Sequence, residues 1–337
     1  MIIPYRLRCL LKRIGVAILA LVIAFALFLL YFFLDQDQYV VYTRSGVYLD
    51  HTRSNKLLTG KPAEHTKATP VKIYYHDGTA SKENSTELKP LIGYYITEDE
   101  LETDIEAVRQ QIKKLPAGTP VMIDVKSIYG NFFYSSAVSE NRNEDIDTAT
   151  MDILIKELCN SNCYAIARLP GLRDMLYGLH NVTDGLPVAA GYLWMDSDGC
   201  YWLNPSSDGT VTYLAKIANE LKSLGFDEVV FSDYYFPETE SIVFKADKQK
   251  ALSDTAQTLV NSCANETFTV SFTVKTYFDA PRGRSRMYLE NAAAADAAQL
   301  ATQFGFEDPK IRVVFLTTVH DTRFDEFSVL RPISNAE

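Results

Sequence analysis

From residue 91 onward the chain alternates between two hydrophobic rhythms. Short, nearly unbroken apolar runs fall at 91–96, 120–125, 164–169, 228–231, 267–274 and 311–316. Between them apolar residues recur at helical spacing, as in Leu101, Ile105, Val108, Ile112 and Leu115, or Val211, Leu214, Ala218, Leu221 and Leu224. Thr97 followed by Glu100 predicts a capping box, and Gly225 predicts a helix C-terminus. Further helices are expected around Met151–Leu158, in the stretch ending near Ala264, and in the Ala-rich stretch 289–304. Continuous apolar strands alternating with amphipathic helices mean parallel strands buried on both faces, an α/β architecture. Two features favour a (β/α) TIM-like barrel over a doubly wound sheet. No Gly-x-Gly-x-x-Gly turn follows the first strand. Polar and aromatic residues also gather just after strands, at 126–129, 168–174, 232–235, 275–279 and 320–324, where barrel sites are built. Six strand-helix units plus a final strand at 327–330 fall short of eight. The expectation is a barrel left incomplete, or closed by an N-terminal strand such as 71–75.

The N-terminal part reads differently. Residues 14–34 are 21 consecutive uncharged residues, long enough to span a bilayer as a helix. The run ends in bulky residues, Tyr31-Phe32-Phe33-Leu34, with no small-x-small cleavage site, so it reads as an anchor that is kept. Arg6, Arg8, Lys12 and Arg13 precede it, while Asp35 and Asp37 follow, which puts the N-terminus in the cytoplasm and the rest outside it. The expected organisation is a basic tail at 1–13, a transmembrane helix at 14–34, a stalk with short strands at 35–90 and the barrel at 91–337. The exported cysteines Cys159, Cys163, Cys200 and Cys263 allow disulfides or isolated buried thiols.

The chain carries a net charge of −10, and with no acidic residue before Asp35 the exported part is more acidic still. Nucleic acid is thereby excluded as a partner, since phosphate binding needs a basic surface. The five histidines form no metal-ligand pair, and neither a Gly-x-Ser-x-Gly elbow nor a phosphate loop is present. The sequence calls for no metal and no cofactor. The dense basic stretch 282–286 reads as a solvated loop.

Three segments carry a resemblance: Met122-Ile123-Asp124-Val125-Lys126, then Ala165-Ile166-Ala167-Arg168-Leu169 with Asp174 downstream, and the block Trp202-Leu203-Asn204-Pro205 followed by 224–231 and Phe236-Pro237. Together they resemble the bacterial putative glycosyl hydrolase domain, a family with an α-amylase-like (β/α) barrel. The resemblance covers roughly residues 92–274. It implies acidic residues where this chain has Ser127, Ser232 and Thr273, so the acidic positions are degenerate.

Glycoside hydrolysis uses two carboxyl groups flanking the scissile bond. Among the strand-end acids, Asp124 and Asp233 are the expected catalytic pair. Lys126, Arg168, Trp202, Asn204, Ser232, Tyr234 and Tyr235 are expected to contact substrate, since aromatic rings stack on sugar faces while polar groups bond the hydroxyls. The sequence therefore supports a membrane-anchored, extracytoplasmic, glycosyl hydrolase-like barrel that binds cell-envelope polysaccharide with weak or no hydrolase activity. The alternative is an active glycoside hydrolase using Asp124 and Asp233.

Overall fold

The computed structural model describes residues 40–43, 46–49 and 87–335. Strands β1 (Val40–Thr43) and β2 (Gly46–Leu49) form an antiparallel pair with Val40 opposite Leu49. The tail and apolar run at 1–34, and the expected strand at 71–75, lie outside the described residues. Among those residues no helix is long and apolar enough to cross a membrane.

The second unit is a closed barrel of eight strands, all parallel: β3 (Ile92–Ile96), β4 (Pro120–Asp124), β5 (Tyr164–Pro170), β6 (Glu228–Ser232), β7 (Thr269–Thr273), β8 (Met287–Glu290), β9 (Val313–Leu316) and β10 (Ser328–Pro332). Each pairs with its sequence neighbour, and β10 returns to β3 with Val329 opposite Ile92. The barrel is therefore complete. Its missing strand is β8, which takes residues 289 and 290 from the start of the stretch 289–304 read as helical; the α-helix there is confined to Ala297–Thr302. With only four residues, β8 shows no recognisable apolar period.

The capped amphipathic helices form where the periodicity places them. Glu98–Ile112 begins with the capping box, in which the Thr97 N–H donates to Glu100 Oε2 at 2.9 Å. Asp208–Leu224 ends at Gly225 in the left-handed conformation, φ 99°, which costs glycine little. The main core lies between the strands and these helices, and a smaller one fills the lumen with Met122, Ile166, Val230, Tyr288, Val314 and Leu330. Cys159, Cys163, Cys200 and Cys263 are all free and buried, so the thiol reading stands and the disulfide alternative does not.

Candidate functional site

Strand side chains alternate between lumen and helix layer, and parallel register partners face the same way. Asp124 lies opposite Arg168 and Arg168 opposite Val230, a lumen residue, so all three belong to the lumen at its C-terminal end. Arg168 donates to both oxygens of Asp124, Nε to Oδ1 at 2.6 Å and Nη2 to Oδ2 at 2.9 Å. The Glu98 N–H donates to the same Oδ2 at 3.0 Å. The remaining arm of Arg168, Nη1, reaches Glu290 Oε1 at 3.1 Å, at the end of β8. One guanidinium thus holds carboxylates from two strands well separated in the barrel. Because it is a rigid fork a few ångströms wide, those carboxylates lie within roughly 8 Å of each other. Burial raises the Glu290 carboxyl above its ordinary value against the pull of Arg168, and the charges of Asp233 and Asp124 add to the rise.

Two further lumen positions, Ser232 and Thr273, end β6 and β7. Thr273 faces inward with its register partner Tyr288, and its hydroxyl is buried without a hydrogen-bond partner among the described residues. Asp233 follows Ser232 with φ 47°, a left-handed conformation that Asp adopts more readily than most residues. Its carboxyl has no hydrogen-bond or ion-pair partner at contact distance among the described residues. Burial pushes it above the ordinary range, opposed by Arg173, Arg168 and Lys275 and reinforced by Asp196.

Beside Asp233 stands an aromatic wall. The half-buried Tyr235 meets the buried Trp202 edge-on, with ring centroids 4.9 Å apart. Trp202 Nε1 donates to Asp196 Oδ2 at 2.8 Å, and Arg173 Nε binds the same oxygen at 2.7 Å. The exposed Lys275 sits 4.5 Å from the centre of the Tyr235 ring.

Three residues read from sequence as substrate contacts are placed elsewhere. Lys126 is buried, its Nζ 2.7 Å from Asp174 Oδ2, and serves to anchor a loop. Tyr234 is wholly buried between Phe272 and Phe278, its hydroxyl donating to the Leu252 carbonyl at 2.9 Å. The turn at Asp233 sends it behind the sheet. Asn204 Oδ1 accepts from the Ser206 N–H at 2.9 Å and shapes the turn into the helix Asp208–Leu224. Conversely, Glu290, Arg173, Asp196 and Lys275 are brought to the mouth without having been read as site residues. A strand-end signal could have found Glu290 only if β8 itself had been visible. Among the described residues no group of three or more His, Cys, Asp or Glu is arranged to hold a metal ion.

Residues 63–277 match the family described as Putative glycosyl hydrolase domain. No curated protein matches the chain. Among solved structures, a hypothetical protein from Ruminiclostridium thermocellum is 19% identical with a TM-score of 0.44, covering 53% of this chain and 96% of its own. The α-galactosidase from Lactobacillus brevis is 10% identical with a TM-score of 0.48, covering 75% of this chain and 38% of its own. An exo β-N-acetylglucosaminidase from Vibrio harveyi is also 10% identical with a TM-score of 0.48, covering 72% and 50%. The chain thus spans half or less of the length of these two enzymes.

Proposed function

We propose, from the premise that this chain belongs to the Putative glycosyl hydrolase domain family, that its glycoside hydrolase-like barrel binds glycan at the C-terminal mouth and cleaves it weakly or not at all. The observation that carries this reading is the composition of the last lumen layer. Asp124 and Glu290 are both engaged by Arg168, while hydroxyls stand at Ser232 and Thr273, where the family resemblance implies acids. Of the carboxyl groups of Asp124, Glu290 and Asp233, only that of Asp233 is unclaimed by hydrogen bonds among the described residues. Hydrolysis needs a second carboxyl group free to act on the opposite side of the bond. Freeing Asp124 would leave Arg168 short of a partner in a half-buried place, which is costly. A sugar needs less: Asp233 to accept from hydroxyls, Lys275 to donate, and Tyr235 to present an aromatic surface.

One observation favours the second reading, an active hydrolase. Burial raises both Asp233 and Glu290, the direction of shift that a general acid needs. In that case Asp233 is the acid, and Asp124 or Glu290 the second carboxyl.

The apolar run 14–34 supports an anchor with the barrel outside the cytoplasm, and cell-envelope polysaccharide is then the natural ligand. Titration calorimetry with solubilised envelope polysaccharide tests the reading, with release of reducing ends followed in parallel. Binding by the unaltered chain should weaken at least tenfold in Asp233→Asn and in Lys275→Ala, with no reducing ends released. Reducing ends that disappear in Asp233→Asn would transfer the assignment to the hydrolase. No binding by the unaltered chain would end the glycan reading.

A further inference from the structure

We infer that a second sugar-binding site lies outside the barrel mouth, in a groove of about 570 Å³ between the loop after β4, the helix Met175–His180 and the first turns of the helix Asp208–Leu224. The volume falls within the few hundred to one thousand Å³ typical of small-ligand sites. One wall is Tyr177, half-buried and stacked on Tyr213 with ring centroids 3.9 Å apart and planes 15° from parallel.

That wall is already set. The Tyr177 hydroxyl donates to Asp184 Oδ2 at 2.9 Å, and the Tyr213 hydroxyl to Asp174 Oδ2 at 2.9 Å. Asp174 is in turn neutralised by the buried Lys126. Across the groove, the loop after β4 is pinned by Glu220, which accepts from the Tyr134 hydroxyl at 2.8 Å and the Ser136 hydroxyl at 2.6 Å. A ligand entering here would have little protein to order, so its contacts convert into affinity with small loss.

The chemistry of the occupant follows from what the groove leaves unpaired. Asp208, Lys216 and His180 line it, and none has a hydrogen-bond or ion-pair partner among the described residues. Asp208 and Lys216, about 12 Å apart along one helix, give the groove opposite charges at its two ends, so that neither an anion nor a cation is favoured along its whole length. Neutral hydroxyl groups satisfy both, donating to the carboxylate and accepting from the ammonium, while the Tyr177 ring offers a surface for a pyranose face. The site is assigned to a neutral saccharide. It does not depend on the mouth.

Thr212, exposed on the groove side of its helix, allows a plug: Thr212→Trp fills the space from a position that makes no hydrogen bond to another side chain. Binding of maltohexaose, cellohexaose and chitohexaose is measured by calorimetry and saturation-transfer NMR. The unaltered chain should bind at least one of them. The affinity should fall at least tenfold in Thr212→Trp and in the double variant Asp208→Asn/Lys216→Ala, and stay unchanged in the mouth variant Asp233→Asn. Failure of the unaltered chain to bind any of the three, or unchanged binding in Thr212→Trp, would overturn the groove. Envelope polysaccharide bound by the unaltered chain and lost in Asp233→Asn, with none of the three hexaoses bound, would end the groove while leaving the mouth reading intact.

Discussion

The Asp233 carboxyl sits above its ordinary range because burial outweighs the attraction of Arg173, Arg168 and Lys275. A raised carboxyl binds more protons in the folded chain than in the unfolded one between the ordinary and the folded values, so stability is lost as pH rises through that window. Asp233→Asn removes this penalty. The variant should be more stable than the unaltered chain at neutral pH, with the gap closing as pH falls below the ordinary carboxyl value of about 3.9. Urea unfolding across pH checks this, and a pH-independent gap would contradict it. Glu290 carries the same sign from the same cause. At this scale the sequence was half legible. Asp124, Arg168 and Asp233 could be placed at the mouth because they stand at or just after the C-terminal ends of strands that the sequence shows. Lys126 and Tyr234 could not be told from mouth residues, because burial, under a loop for Lys126 and behind the sheet for Tyr234, leaves no mark on residue type.

Among the elements, β8 shows how a four-residue strand can close a barrel without a hydrophobic signal. Its neighbour Arg286 is buried and paired with Glu228 of β6. The same guanidinium donates to the Tyr164 hydroxyl at 3.2 Å, the Ile311 carbonyl at 3.2 Å and the Lys89 carbonyl at 2.8 Å. Glu228 also accepts from Tyr288 at 3.0 Å and from Ser271. The network thus ties β8 to β5, β6, β7, the segment before β9 and the chain before β3. Removing one member of a buried ion pair leaves the other uncompensated, which typically costs about 3–5 kcal/mol. Arg286→Met should lose about that much in equilibrium unfolding, whereas Arg286→Met/Glu228→Met should recover a large part of it. A double variant no more stable than the single one would show that the pair's charges are not what holds the strand. This also explains the stretch 282–286, read from sequence as solvated: it ends inside the barrel.

For the molecule as a whole, the barrel closes on itself, with β10 pairing to β3. A chain of residues 87–337 should therefore unfold cooperatively and remain in the soluble fraction, whereas the full chain should sediment with membranes through residues 14–34. Soluble full-length chain after cell disruption would remove the anchor from the proposal. What the sequence determined by itself is the class of fold, because the alternation of strand and helix periods is a property of neighbours along the chain. Only the tertiary structure decided which strand closes the barrel and which charges meet. Arg168 finds Asp124 44 positions before it and Glu290 122 positions after it. Contacts between residues so far apart are fixed by strand register and closure, where a one-residue slip would turn each side chain to the opposite face.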